Sequence, residues 1–302
     1  MKLKALLVLS CTGLLFAACK KDDNNNAKLD DQLETALKLA SNGVGKPFYV
    51  LPLSNEFDKI PQDPKNPVTK AKVDLGQLLF HETGLAVNPK HPQGMGTYAC
   101  ASCHFASAGF QAGRHQGIAD GGSGFGVNGE GRIPSAAYDL SELDVQAIRT
   151  PSALNIAYQE AILWNGQFGA TGPNAGTQAN WTVGTPKETN NLGYQGTETQ
   201  AIAGLNVHRM KCEEPLVATF AYKPMFDVAF PSVDASARYD REHGGLAIAA
   251  FERTLLANKA PFQQWLRGES KAMSDQQKRG AILFFDKAGC VRVQWWNLPN
   301  SW

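Results

Sequence analysis

The chain has 302 residues, of which 43% are hydrophobic and 19% charged, so it holds enough apolar material for one large domain or two small ones. This composition excludes a chain that is disordered throughout. The net charge of +1 gives no electrostatic reason to expect a nucleic acid as partner. Six cysteines are too few for a disulfide scaffold of this length, so their spacing is more informative than their number.

Residues 1–19 are predicted to be a secretion signal. Lys2 and Lys4 precede an apolar run over residues 5–16, which is shorter than the roughly 20 residues of a membrane-spanning helix. The small residues before Cys19 resemble the lipobox of bacterial lipoproteins, in which this cysteine becomes the acylated first residue. An ordinary signal peptide with an incidental cysteine is the alternative. We expect the mature chain in the periplasm or cell envelope, lipid-anchored through Cys19.

Residues 20–67 are predicted to form a polar tether and an extended N-terminal segment. The run from Lys20 to Asn26 is entirely polar, as expected of a tether. Leucines and alanines then recur at helical spacing between Leu29 and Ala40, and residues 42–67 are rich in proline.

Helical periodicity dominates the rest of the chain. Helices are predicted at residues 68–80, 246–256 and 274–285. The last of them opens with a Ser274-x-x-Gln277 capping box. Glycine-rich stretches at residues 112–132 and 167–196 indicate long loops. No segment alternates convincingly with a period of two, so the predicted fold class is all-α, with short helices held by long loops.

Residues 100–104 read Cys-Ala-Ser-Cys-His, a C-x-x-C-H motif, which is the attachment site of haem c. In a helical turn, residues three apart stand on one face, so the thiols of Cys100 and Cys103 can both add across the porphyrin vinyl groups. His104 can then present its imidazole to the iron as proximal ligand. A thioredoxin-like or zinc site fits less well, because no βαβ pattern surrounds the motif and no second cysteine pair accompanies it.

An ordered set of short motifs between about residue 70 and residue 290 resembles the bacterial di-haem cytochrome c peroxidases and their MauG-like relatives. The motifs lie at residues 75–80, 100–104, 109–110, 149–155, 164–166, 198–201 and 251–254. The resemblance implies cytochrome c-like domains, of which an N-terminal one reduces hydrogen peroxide and a C-terminal one accepts electrons. It places the peroxidatic haem domain at residues 68–272 and the start of a second haem domain at residues 273–302.

The resemblance also implies roles for individual residues. Cys100, Cys103 and His104 match the anchors and proximal ligand of the peroxidatic haem. Trp164 matches the tryptophan that lies between the haems, and Gln200 matches a glutamine of the distal pocket.

The catalytic glutamate that the family places after this glutamine is missing, because the corresponding stretch reads Val-His-Arg-Met over residues 207–210. Peroxide cleavage needs a proton-transferring group and a positive charge for the leaving oxygen. We therefore expect His208 and Arg209 to share these tasks. The alternative is a structural or surface His208, with Arg209 paired to Glu213 or Glu214.

Three further features remain open at this stage. His115 is a candidate sixth iron ligand, because the family places a removable histidine in this region, and a solvent-facing loop histidine is the alternative. A G-x-G-x-x-G match at residues 124–129 lacks the flanking strand and helix of a nucleotide site. The family's calcium uses an asparagine where this chain has Arg149, which leaves a calcium ion uncertain.

The second haem site is predicted to be lost. Val293 and Gln294 stand where a motif beginning at Cys290 requires cysteine and histidine. Three tryptophans follow, at positions 295, 296 and 302. The codons of Gln-Trp-Trp, shifted by one base, encode Asn-Gly-Gly or Ser-Gly-Gly, which resembles the family's continuation. We interpret the tail as the product of a frameshift near residue 292, with a natural tryptophan-rich terminus as the alternative.

Together these features predict a haem c peroxidase that reduces hydrogen peroxide with electrons from a small cytochrome c or cupredoxin, impaired by loss of the second haem. One alternative is a non-catalytic mono-haem electron carrier, which requires a permanent sixth ligand such as His115 or Met210. The other is a MauG-like oxidase of a protein or organic substrate.

Overall fold

The computed structural model describes residues 21–114 and 116–291, with side chains from residue 27 onward. The helices in these ranges are α1 (Lys21–Ala40), α2 (Lys70–His81), α3 (Gly196–Val207), α4 (Glu214–Thr219), α5 (Lys223–Ala229), α6 (Ala235–Arg238), α7 (Arg241–Arg253), α8 (Pro261–Leu266) and α9 (Asp275–Phe285). Strands β1 (Gly122–Ser123) and β2 (Ile133–Pro134) pair antiparallel. Short 3-10 helices stand at Lys46–Tyr49, Phe57–Lys59, Thr83–Leu85, Pro92–Gly94, Cys100–Ser102, Ala106–Ala108, Leu140–Glu142, Ile156–Tyr158, Gly172–Asn174, Gln178–Asn180 and Pro186–Leu192.

The chain forms two compact units. The larger comprises residues 52–257 and carries α2 to α7 with both strands, and the smaller combines described residues of the ranges 1–51 and 258–302 and carries α1, α8 and α9. The division falls at residues 51 and 257. The haem-domain bounds at residues 68 and 272 stay a prediction.

Helix α7 lies at the centre of the larger unit, where it packs against α2 and α3. Two glycines permit this approach. A Cβ at Gly76 would lie 1.9 Å from the carbonyl oxygen of Ala247, and one at Gly245 would lie 2.7 Å from the Cα of Ile202. Any larger residue at either position would push the helices apart. Buried side chains that form this core include Leu75, Leu79, Phe80, Ile202, Leu205, Leu246, Ile248 and Phe251.

A set of buried polar side chains lies beside this core, and we call it the anchor cluster. Its centre is an ion pair in which Arg253 donates to both carboxylate oxygens of Glu198, at 2.8 and 2.6 Å, with both side chains fully buried. Arg253 also donates to Gln195 at 3.0 Å, and Lys72 donates to Asn66 at 2.8 Å. The amide of Asn66 lies 3.4 Å from Glu198 and completes the cluster.

The smaller unit has its own apolar core, formed by α1, α8 and α9. Buried residues of this core are Leu33, Ala36, Leu37, Tyr49, Trp265, Leu266, Met273 and Phe285. Asp30 accepts from the indole of Trp265 at 2.6 Å and pairs with the buried Lys278 at 2.6 Å. Within residues 21–114 and 116–291, no helix is both long enough and apolar enough to cross a membrane.

The predicted all-α class is confirmed, since β1 and β2 contribute only two residues each. The predicted capping box is confirmed, because Ser274 accepts from the N–H of Gln277 and Gln277 accepts from that of Ser274. Helix α1 begins at Lys21, inside the run interpreted as a tether. Cys19 and the tryptophan-rich tail lie outside the described residues.

Candidate haem site

The C-x-x-C-H residues begin in a 3-10 turn, Cys100–Ser102. The hydroxyl of Ser102 accepts from the N–H of Ala99 at 3.0 Å, and the N–H of Cys103 donates to the carbonyl of Cys100 at 3.1 Å. In a 3-10 turn, side chains three residues apart are eclipsed. Cys100 and Cys103 accordingly line the same cavity, which is the placement that a doubly attached porphyrin requires.

His104 is held in one tautomer. Its Nδ1 lies 2.8 Å from the carbonyl oxygen of Phe110, which can only accept, so Nδ1 carries the proton and Nε2 is left with a free lone pair. Burial lowers the pKa of His104 and favours the neutral imidazole. A neutral imidazole whose other nitrogen donates to a carbonyl is the usual state of a metal-binding histidine.

Neither cysteine of the motif takes part in a disulfide. Burial raises the pKa of Cys100, and it raises that of Cys103 to about 12, so both are protonated at neutral pH. A redox or zinc site needs thiolates of lowered pKa, and the part of the chain that the structure describes holds no group of three or more His, Cys, Asp or Glu placed for a metal ion. These thiols suit thioether formation better than either alternative.

Two cavities of about 180 and 50 Å³ meet the motif. Six residues line both of them: Cys103, His104, Gln200, Gly204, His208 and Glu252. The larger cavity has apolar walls from Ile156, Ile162 and Phe168. A Cβ at Gly117 would lie 2.7 Å from the sulfur of Cys103, so only glycine lets this loop approach the thiol. The paired thiols, neutral imidazole, apolar walls and glycine cradle together fit a covalently attached haem.

His208 and Arg209 follow the end of α3. The N–H of His208 closes the helix on the carbonyl of Gly204, and Arg209 adopts a left-handed φ of 55° that ends it. His208 Nδ1 lies 2.8 Å from Asp144, which leaves Nε2 as an acceptor in the cavity wall. Arg209 donates to Asp120 at 3.0 Å and lies 3.8 Å from Asp144.

The placement of Arg209 differs from both sequence-based expectations. It is not among the residues that line either cavity, and its partner is the fully buried Asp120 rather than Glu213 or Glu214. Asp120 lies 89 residues away along the chain, and this long-range contact has no signal in the local sequence. The structure therefore brings His208 to the cavity and places Arg209 behind it.

The other predicted site residues occupy different settings. Gln200 lies on α3 and lines both cavities. Trp164 is 95% exposed and lies at the rim of an open pocket that it shares with Arg149 and Leu163. His115 lies outside the described residues, as do Val293 and Gln294, whereas Cys290 is part-buried in the smaller unit.

Two residues at the cavity were missed by the sequence analysis. Asp144 comes from an irregular loop and orients His208, a pairing that spans 64 residues. Glu252 lies on α7 and is 6% exposed, and its Oε2 has no hydrogen-bond partner among the described residues. Burial and the charge of Glu198 raise the pKa of Glu252 to about 8, against the opposing effect of Arg253. The sequence could have indicated Glu252, since this residue is part of the motif at residues 251–254.

The family is decided by a profile comparison. The profile described as di-haem cytochrome c peroxidase matches residues 70–271, about two thirds of the chain. The chain belongs to the di-haem cytochrome c peroxidase family. The predicted family resemblance is thereby confirmed, and the matched range contains the C-x-x-C-H motif and all six residues shared by the two cavities.

Curated relatives of the family are similar over most of this chain. The methylamine utilization protein MauG of Methylorubrum extorquens is 30% identical over 234 residues, which cover 78% of this chain and 52% of the relative. The MauG of Methylophilus methylotrophus is 31% identical over 237 residues, covering 78% and 55%. The cytochrome c peroxidase Ccp of Escherichia coli is 28% identical over 229 residues, covering 75% and 37%. The chain thus spans about half, or less, of the length of these relatives.

One solved structure also matches part of the chain. The crystal structure of a MauG-like protein associated with microbial copper homeostasis matches with a TM-score of 0.45 and 21% identity, covering 78% of this chain and 54% of that chain.

Proposed function

We propose that this chain is a haem c enzyme that reduces hydrogen peroxide to water in the periplasm, with electrons from a small cytochrome c or cupredoxin. The proposal depends on the larger cavity, which both histidines line. His104 is neutral and bonded to a backbone carbonyl, and His208 is oriented by Asp144. Cys100 and Cys103 hold the haem, and His104 binds its iron. When bound, the haem supplies the redox chemistry.

His208 carries the acid–base role in this proposal. Its Nδ1–H is fixed on Asp144, so Nε2 is the atom that takes a proton from the near oxygen of peroxide and returns it to the leaving oxygen. Gln200 orients the peroxide by hydrogen bonding from the same cavity wall. Arg209 acts as a positioning residue, because its positive charge holds Asp120 and Asp144 in place.

A second candidate is a MauG-like oxidase that uses peroxide to oxidise a protein or organic substrate. It is favoured by the 30% and 31% identity to two MauG proteins. The exposed Trp164 at the rim gives such a substrate a redox-active surface contact. The two candidates differ in which molecule supplies the electrons.

The test is production of the full chain together with the cytochrome c maturation machinery. We expect a pigment that survives denaturation, and a reduced form that hydrogen peroxide oxidises, with continued turnover when reduced cytochrome c is added. His104→Gly and the double variant C100S/C103S are the controls, which lose iron ligation and covalent attachment respectively. Colourless protein would contradict the proposal. A low-spin haem inert to peroxide, with Met210 as ligand, would instead support an electron carrier.

A further inference from the structure

One carboxyl group of the candidate haem site has no role in the proposed peroxidase chemistry. Glu252 is buried, and it lines both cavities together with Gln200 and His208. Its Oε2 has no hydrogen-bond partner among the described residues. Buried polar atoms are nearly always paired, so an unpaired one that borders a cavity indicates a water or ligand in the adjoining space.

We propose that Glu252 is the proton-donating carboxyl of this cavity, with its Oε2–H hydrogen-bonded to the small oxygen ligand that enters there. The inference rests on the proposed function and deepens it, because it assigns a second proton-carrying group to the same site. It also supplies a carboxyl from α7, although the family's glutamate is missing from the stretch after Gln200.

The surroundings of Glu252 explain why its carboxyl is neutral. The neighbouring cation is already engaged, because Arg253 is bonded to Glu198 on α3. From the cavity side, Glu252 shares its walls with the neutral His104 and with His208, which is paired to Asp144. With burial opposing ionisation and Glu198 adding a like charge, the carboxyl keeps its proton at pH 7.

The proton balance of peroxide reduction gives this carboxyl a task. One hydrogen peroxide becomes two waters by taking up two electrons and two protons, with cleavage of the O–O bond. His208 takes a proton from one oxygen and returns it to the other, so it adds none. Glu252 breaks its O–H bond to give one proton to the oxygen that remains after O–O cleavage and recovers a proton from solvent, which also supplies the second proton of that oxygen. The electrons come from the small redox protein.

The test measures fluoride binding to the haem-loaded ferric protein between pH 6 and pH 9. Spectra recorded without fluoride at each pH give the correction for hydroxide binding. In the wild type, we expect the Kd of fluoride to rise about tenfold per pH unit above pH 8, because the carboxyl stops donating and repels the anion. In Glu252→Gln, the amide still donates and cannot ionise, so the Kd stays constant. An unchanged pH dependence in this variant would overturn the proposal.

A second readout is independent of haem and of activity. The infrared C=O band of a protonated carboxylic acid is expected in the wild type at pH 7 and is lost on raising the pH to 10. Glu252→Gln lacks the band, and Glu269→Gln, which removes an exposed carboxylate, keeps it. If the chain binds no haem, the proposed function fails, but this measurement still decides the state of Glu252. Absence of the band from wild-type protein at pH 7 overturns the inference without the need for a folded variant.

Discussion

The anchor cluster and the cavity wall both include polar side chains of α3 and α7, yet these polar groups are paired differently. In the anchor cluster, Glu198 of α3 and Arg253 of α7 satisfy each other through two hydrogen bonds. In the cavity wall, Gln200 of α3 and Glu252 of α7 face the cavities instead, and Oε2 of Glu252 is unpaired.

The difference indicates that the anchor cluster stabilises the fold and that the cavity wall serves ligand binding. A buried charge that is fully paired holds the helices in their relative positions. A buried polar atom without a protein partner destabilises the fold, and its presence beside a cavity indicates a contact with a molecule in that cavity. Changing the anchor cluster should therefore affect stability, and changing the cavity wall should affect ligand binding and turnover.

Breaking the anchor cluster is expected to cause the largest loss of stability. Arg253→Leu leaves the Glu198 carboxylate buried without a partner, and we expect it to lower the free energy of unfolding by about 3–5 kcal/mol. Urea unfolding measures this change. The matched control is Arg279→Leu, which breaks an ion pair with Asp275 whose side chains are 56% and 37% exposed. That control should cost no more than about 1 kcal/mol. Equal losses in both variants would refute the scaffold role.

Removing the carboxylate that orients His208 is expected to impair turnover with little effect on folding. Asp144→Asn should lower kcat for peroxide reduction by about 10–100-fold, because the imidazole loses its fixed orientation. The KM for peroxide should change little. The control is Glu142→Gln, which removes a carboxylate at the same 2.8 Å distance from a histidine, His91, away from both cavities. Unchanged kcat in Asp144→Asn would rule out His208 as an oriented acid–base group.

The neutral state of Glu252 makes stability depend on pH. The pKa of the Glu252 carboxyl is about 8 in the folded chain and 4.5 ordinarily. Between these pH values the carboxyl is therefore ionised in the unfolded chain and protonated in the folded chain. The free energy of unfolding should therefore fall as pH rises from 5 to 8, by up to about 1.4 kcal/mol per pH unit from this group. Thermal or urea unfolding of wild type and Glu252→Gln at each pH gives the difference. A difference that is constant with pH would contradict the assignment.

The parts predicted from sequence are those set by local chemistry. The capping box of α9 needs only Ser274 and Gln277, which are three residues apart. The haem motif is likewise a matter of spacing, because two thioethers and one ligand must come from a single turn. Helix α3 was missed because Thr197, Glu198 and Thr199 are buried polar residues, so the helix has no apolar stripe to give a period.

The parts that could not be predicted depend on contacts between distant segments. Asp144 reaches His208 across 64 residues, and Asp120 reaches Arg209 across 89. Neither acid is marked by its neighbours in sequence. Glu252 differs, since its motif was recognised but its burial and missing partner were visible only in three dimensions. Local patterns thus indicated the candidate cofactor site, and tertiary packing determined which polar groups line its cavities.

The open pocket beside Trp164 adds a third setting, in which a large side chain is not buried. Trp164 is 95% exposed, so Trp164→Ala should change the free energy of unfolding by less than about 0.5 kcal/mol. Trp265→Ala, at a residue 1% exposed, should cost about 3–5 kcal/mol under the same urea titration. Trp164 is therefore expected to contribute little to folding. If the alanine variant takes up electrons from reduced cytochrome c more slowly, the cause is impaired electron transfer and not a damaged fold. A loss above about 1 kcal/mol in that variant would show instead that Trp164 packs against protein, and the rim assignment would be wrong.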